Sequence, residues 1–213
     1  MAPSAIRWLL LFGVPLATAC NLLTPLVFFA DTRKKVAPEF DKLPGKRVAI
    51  LVWTESATLF DYKYARMELA TYVGDKLQVE LTQRNSATQL IDPRDVEDFL
   101  QRHPATLVDP HAVGRNFNAD YVVFLEIAAF QMRDPRLPQL MQGRITAAIS
   151  VHDVRADSAG TRRFDLTPVH TVHPEDQPIP MSAGNVQLFR ETVYRKFAEE
   201  TARKFYEHTL EQS

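Results

Sequence analysis

The sequence predicts an α/β (α+β) domain of two or three layers, a mixed sheet of about five strands with helices packed on it and a long C-terminal helix. Three observations carry this. The apolar, β-branched runs KRVAILVW (46–53) and ADYVVFLEIAAF (119–130) have the composition of strands buried on both faces. Between them lie amphipathic helical stretches, and strands alternating with helices make an α/β layer. Near the end, Phe189, Val193, Phe197, Thr201 and Phe205 recur four apart, the stripe of a helix laying an aromatic face on a sheet.

Taken in order, the first strand is bounded by Gly45 and Thr54. Asp61 is placed to cap a helix, and Tyr64, Ala65, Leu69, Tyr72, Val73 and Leu77 continue it at helical spacing to about residue 82. Leu90 and Ile91 form a short strand, after which Asp92 caps and Pro93 takes the first helical position, with Val96, Phe99 and Leu100 facing inward. Asp109 and Pro110 repeat the device for a shorter helix with Val113 and Phe117. The run 119–130 is the central strand. Glu126 within it implies a wet face, a paired arginine such as Arg144, or a proton-active group.

The stretch 131–142 (QMRDPRLPQLMQ), with two prolines and three charges, is a loop. In 143–154, Ile145, Ala147, Ile149 and Val151 alternate with Arg144, Thr146, Ala148, Ser150 and His152, the pattern of a strand with one buried face. The turn RADSAG leads to a hairpin partner whose Pro168 assigns it to a sheet edge. After a loop over 173–184, Asn185 opens the last helix.

Of 213 residues, 46% are hydrophobic and 24% charged, enough for one domain with a core plus an N-terminal appendage. With 25 Lys+Arg against 26 Asp+Glu, the net charge of -1 argues against a nucleic-acid binder. The single cysteine, Cys20, excludes an internal disulfide and closes the segment LATAC. Arg7, the apolar run Trp8–Phe12, and the small residues Ala17, Thr18 and Ala19 have the order of an export signal. Its ending resembles the lipobox of bacterial lipoproteins, which implies cleavage after residue 19 and acylation of Cys20.

On that reading 1–19 is a signal peptide, 20–45 a lipid-anchored apolar segment and linker, and 46–213 a single α/β envelope domain. A second reading stays open: Trp8–Ala30, at about 1.5 Å per residue, spans roughly 30 Å of hydrocarbon as an uncleaved helix, although Pro15 and Pro25 interrupt it. Arg33, Lys34 and Lys35 then lie where anionic head groups would attract them, at on the order of 1 kcal/mol each.

Over roughly residues 46–205 the chain resembles the periplasmic α/β domain shared by the curli-secretion lipoproteins, the TolB N-terminal domain and the penicillin-binding-protein activator lipoproteins. The residues that carry the resemblance are RVAILVW, QLIDPRDVEDFL, FNADYVVFLEI and RITAAISVHDVRADSAG. Asn118 stands where that class often has glycine. The resemblance implies an envelope docking domain and no particular chemistry.

The seven glycines are spaced too widely for a phosphate-cradling loop, so P-loop and Rossmann nucleotide binding are excluded. No Gly-x-Ser-x-Gly elbow exists, and Cys20 lies in the export segment, away from any catalytic setting. A metal-dependent hydrolase would have to draw on His152, His170 and His173, with Asp153, Glu175, Asp176 or Glu126. Residues three apart on a strand face opposite ways, so His170 and His173 converge only if Pro174 ends the strand.

The expectation is therefore a non-enzymatic, lipid-anchored envelope protein, facing the periplasm and held to the membrane at Cys20. It docks on another envelope component and uses no cofactor, metal, nucleotide or nucleic acid. Contact is expected through the edge near Pro168, the loop 131–142, especially Arg133, Arg136, Leu137 and Leu140, and the segment 173–184. The alternatives are the histidine-based hydrolase and a structural subunit that self-assembles through its long C-terminal helix.

Overall fold

The computed structural model describes residues 34–106, 108–156, 162–182 and 184–210. Cys20 and the export segment lie outside them. The chain divides into two units, 37–208 and 1–36 with 209–213. The smaller unit is described at β1 (Lys34–Val36) and at the last two residues of β9 (His208–Leu210), strands of a two-stranded sheet.

The larger unit begins with a surprise. The stretch expected as a linker contributes Phe40 and Leu43 to the core, because these two apolar side chains find the open end of the sheet. Phe40 packs edge-on against Tyr121, Phe164 and Phe205 at 5.3, 5.2 and 6.4 Å between ring centroids. Glu39 fixes the same segment, its carboxylate accepting from Thr167 N–H and Lys204 Nζ at 2.7 Å each.

The elements follow as β2 (Arg47–Trp53), α1 (Ser56–Asp61), α2 (Ala65–Gln83), β3 (Gln89–Leu90), α3 (Pro93–Arg102) and α4 (Pro110–Asn116). Then come β4 (Tyr121–Gln131), β5 (Leu140–Met141), β6 (Gly143–Asp153), β7 (Arg163–His173), β8 (Ile179–Pro180) and α5 (Val186–Ala202), the last continued by a 3-10 turn over Arg203–Phe205. A mixed five-stranded sheet of order β3-β2-β4-β6-β7 forms the centre. β2 runs parallel to β3 and β4, while β4, β6 and β7 run antiparallel.

Side-chain alternation sorts the strands onto two faces. Val48, Ile50, Val123, Leu125, Ile145 and Ile149 meet Leu69, Val73 and Leu77 of α2 and Phe189, Val193 and Phe197 of α5. Ala49, Leu51, Val122 and Phe124 meet Val96, Phe99 and Leu100 of α3 and Val113 of α4. Layers on both sides explain why β2 reads as an unbroken apolar run. The aromatic stripe of α5 is covered by the sheet, so self-assembly through that stripe has no free surface; Val186 and Leu188 stay exposed at the start of the helix.

Local signals act as the sequence indicates at two helix starts. Asp92 accepts from Arg94 N–H at 2.8 Å and Asp109 from Ala112 N–H at 3.0 Å. Asn118 adopts φ +48°, the left-handed conformation that asparagine tolerates better than most residues and glycine adopts freely. Pro168 does lie on the edge strand, where Thr167 and Pro168 fall in a register shift between the Ala147–Val169 and Ile149–Leu166 pairs. Asp61, however, ends α1; α2 starts after Tyr64 with no side-chain cap.

Candidate functional site

The loop 131–142 is held by its own turn chemistry. Asp134 Oδ1 accepts from the backbone N–H groups of Arg136 and Leu137 at 2.8 Å each, and Asp134 N–H donates to Leu140 O at 3.0 Å. The segment 173–184 is then tied to it. β5 and β8 pair antiparallel through Leu140–Pro180 and Met141–Ile179, and Met181 N–H donates to Gln139 O at 3.0 Å. Asn185 closes the far side, accepting from Ser182 N–H at 2.9 Å and donating to Pro180 O at 3.2 Å. Two stretches that read as separate loops are thus one platform.

Beneath this platform, where β4 ends at Gln131, lies a cavity of about 550 Å³. Its walls come from Tyr62 after α1, Phe130 on β4, Met132 and Met141, Met181 after β8, and Val186, Phe189 and Arg190 on α5. Asp61, Arg133 and Asp134 complete it. The place follows from topology: β2 and β4 are parallel, and ligand crevices of α/β sheets open at the carboxyl ends of parallel strands. A smaller cavity of about 320 Å³ adjoins it, sharing Asp61, Tyr62, Phe130 and Gln131 and bounded by Glu55 and Thr58.

Tyr62 organises the wall. Its ring lies 5.0 Å from that of Phe130, and burial raises the pKa of its hydroxyl above the ordinary tyrosine value, with Arg133 and Arg190 opposing and Asp61 adding. Behind Phe130, Tyr194 is buried, its hydroxyl makes no well-formed hydrogen bond, and its pKa is raised by burial. Met181 and Val186, which line the cavity, are exposed, as are Leu137 and Ile179 on the platform and Leu188 on α5, while Phe60, on α1 beside Asp61, is 91% exposed.

Of the four loop residues singled out in the sequence, Arg133 lines the cavity. Arg136 and Leu137 stand exposed on the turn outside it, and Leu140 is half-buried in β5. Tyr62, Phe189, Arg190 and the methionines were not legible as a site, since Phe189 carries the periodicity of an ordinary core position. One signal existed: three of the chain's five methionines gather here, at 132, 141 and 181, and thioethers mark adaptable apolar surfaces.

The three histidines do not meet. His152 is buried against α4, its Nε2 hydrogen-bonded to Ser150 Oγ at 3.0 Å. His170 is exposed on β7, paired in register with Thr146, which lies six residues along β6 from His152 and so about 20 Å away at roughly 3.3 Å per residue. His173 packs near the Phe189 ring at 5.8 Å on the α5 side. Among the described residues no group of three His, Cys, Asp or Glu is placed to hold a metal ion, and His152, His170 and His173 do not share one site. Glu126 is half-exposed and pairs with Arg163 Nη2 at 3.8 Å, whereas Arg144 donates to Gln142 Oε1 at 2.9 Å.

Neither a protein-family model nor a curated protein matches this chain. Solved structures give looser likenesses. The PelC dodecamer from Paraburkholderia phytofirmans aligns over 80% of this chain and 94% of its own at 10% identity, with a TM-score of 0.40. Lipoprotein GNA1162 from Neisseria meningitidis aligns over 72% and 98% at 9% identity, with a TM-score of 0.40. The hypothetical protein CT253 from Chlamydia trachomatis aligns over 74% and 96% at 13% identity, with a TM-score of 0.36. At these scores the likeness is too loose to assign a common fold. Among the described residues, no helix is long and apolar enough to cross a membrane.

Proposed function

We propose that the protein is a non-enzymatic cell-envelope accessory, tethered to a membrane by acylation of Cys20, whose α/β domain docks another envelope component. The observation that carries the tether is LATAC at the end of a charged and then apolar leader. Docking is supported by the platform of the loops 131–142 and 173–184, a hydrogen-bonded surface on which Leu137, Ile179 and Met181 are exposed. Exposed apolar side chains grouped on a fixed scaffold mark interaction surfaces more often than catalytic ones. Tethering restricts the domain to a thin layer beside the bilayer, which raises its effective concentration toward a partner in the same envelope.

Mass spectrometry of the N-terminal peptide from the native membrane fraction tests the tether, with cleavage before Cys20 and an acyl-modified thiol expected. An unmodified, uncut N-terminus overturns it. A photo-crosslinker at Leu137, with Val79 on α2 as control, tests the docking face. One envelope protein captured from Leu137 and not from Val79 supports the reading, and equal capture from both positions refutes it.

A further inference from the structure

We infer that two copies of this chain associate about a two-fold axis at the carboxyl end of the sheet, Phe60 of each copy entering the cavity of the other. The inference goes beyond the docking reading and needs neither the tether nor a different protein. β2, β4 and β7 run the same way, so their carboxyl ends lie at one end of the domain. Of the large apolar side chains exposed among the described residues, all but Val79 and Val108 follow those ends. Phe60 and Tyr64 come after β2, Leu137 after β4, and the rest between Ile179 and the start of α5. Phe60 is the most exposed of them, and it sits on α1, a helix with no buried residue.

The cavity beside Phe60 has the size and lining for its ring. Asp61 and Tyr62, the next two residues, line the wall, so knob and socket adjoin on one surface and the contact closes after two copies. About 150 Å³ of dry space already admits benzene. Here about 550 Å³ is walled by Phe130, Met132, Met141 and Phe189, aromatic faces and thioethers that pack readily on a further ring. A two-fold contact sets the same surface on both sides, so a mouth with an excess of one charge would repel itself. This mouth is balanced, with Asp61 and Asp134 against Arg133 and Arg190. Arg190 faces Glu68 at 4.0 Å, and Asp134 Oδ1 accepts two backbone N–H groups. Asp61 and Arg133 remain, both exposed and neither ion-paired among the described residues. Entry of Phe60 carries the adjoining Asp61 to Arg133 of the second copy, and the symmetry repeats that pair.

The test is photo-crosslinking of the full-length chain in its native membrane fraction, with p-azidophenylalanine in place of Phe60. A product of twice the chain mass is expected, its link mapping to Phe130, Met132, Met141 or Phe189 of the second copy, and the same probe at Val79 should give none. Asp61→Arg and Arg133→Asp are each expected to cut the yield of this dimer roughly tenfold, since each sets like charges opposite one another at both contacts. Coexpressed, the two variants should recover it, because each then meets its opposite at both contacts. A product linked only to lipid or to a different protein, equal dimer from Val79, undiminished yield in both single variants, or no recovery in the mixture would overturn the two-fold contact. Another envelope protein captured from Leu137 while Phe60 yields no dimer would leave docking standing and this inference refuted.

Discussion

The imidazole of His152 stands edge-on to that of His111, ring centroids 5.4 Å apart at 83°, where α4 closes over β6. Phe124 lies 6.1 Å away on the same face. Burial, the His111 ring and Arg163 all disfavour a proton on His152, and Asp165 and Asp109 only partly offset them, so its pKa falls from 6.5 to about 4. The folded state therefore binds the proton less well than the unfolded chain. Stability from this group is complete above pH 6.5, declines as pH falls through the window, and is fully lost below about pH 4. The loss is on the order of 3 kcal/mol. His173, lowered by burial and Lys196, adds in the same direction. Urea midpoints measured between pH 7 and 4 should fall steeply for the native chain and less for His152→Gln, which keeps a partner for Ser150. Parallel pH profiles would show that another group is responsible.

Gly143 opens β6 because α5 crosses it there at close range. A Cβ at that position would sit 2.3 Å from Val193 Cγ2 and 2.8 Å from Cγ1. Gly143→Ala should destabilise by about 1 to 3 kcal/mol, the range for overpacking a close-fitting core. Trimming the opposing side chain should relieve the clash: in Gly143→Ala with Val193→Ala, the combined loss should be smaller than the two single losses added, as a double-mutant cycle in chemical denaturation reads directly. Additive losses would mean the helix and strand simply move apart.

The two helix starts at Asp92 and Asp109 carry the same chemistry at unequal stakes. Asp92 caps α3, which covers the sheet with Val96, Phe99 and Leu100, whereas Asp109 caps the shorter α4. Each change to alanine should cost about 0.5 to 2 kcal/mol. Hydrogen exchange should show the first opening α3 amides and the second opening those of α4, each leaving the other helix protected. Global loss of protection from either change would contradict a local capping role.

Much of the sheet is written locally, and that is why it is legible in the chain alone. Val48 to Trp53 and Tyr121 to Ile127 need no distant partner to declare themselves strands, and Asp92-Pro93 and Asp109-Pro110 announce helix starts by residue type. The cavity is different in kind. Tyr62, Met132, Met181 and Phe189 are brought together from four separate stretches of the chain, and nothing in the neighbourhood of any one of them indicates the others. Asp61 shows the limit even for local signals: a good capping residue ends α1, and Tyr62, which follows it, packs its ring against Phe130. The β5–β8 pairing leaves no signal in the sequence because two residues are too few to show a period.

Phe40 is the strongest case of a residue whose role sequence context concealed, since it lies amid charges and prolines. It is 4% exposed and touches Tyr121 on the central strand, Phe164 on the edge strand and Phe205 beyond the last helix. Phe40→Ala should cost about 3 to 5 kcal/mol, as deletion of a buried aromatic side chain does. Glu39→Gln, one residue away, should cost under about 1 kcal/mol, because its contacts to Thr167 N–H and Lys204 Nζ lie at the surface. Burial raises the Glu39 pKa, but Lys204 and the Thr167 N–H outweigh it and leave a net lowering, so this smaller contribution is present above the ordinary carboxylate range and fades below it. Thermal melts at neutral pH and at pH 4 separate the two effects: the Phe40 deficit should persist at both, and the Glu39 deficit should shrink in acid. Should Phe40→Ala melt with the native chain, residues 37–45 would be a linker after all and the domain would begin at β2.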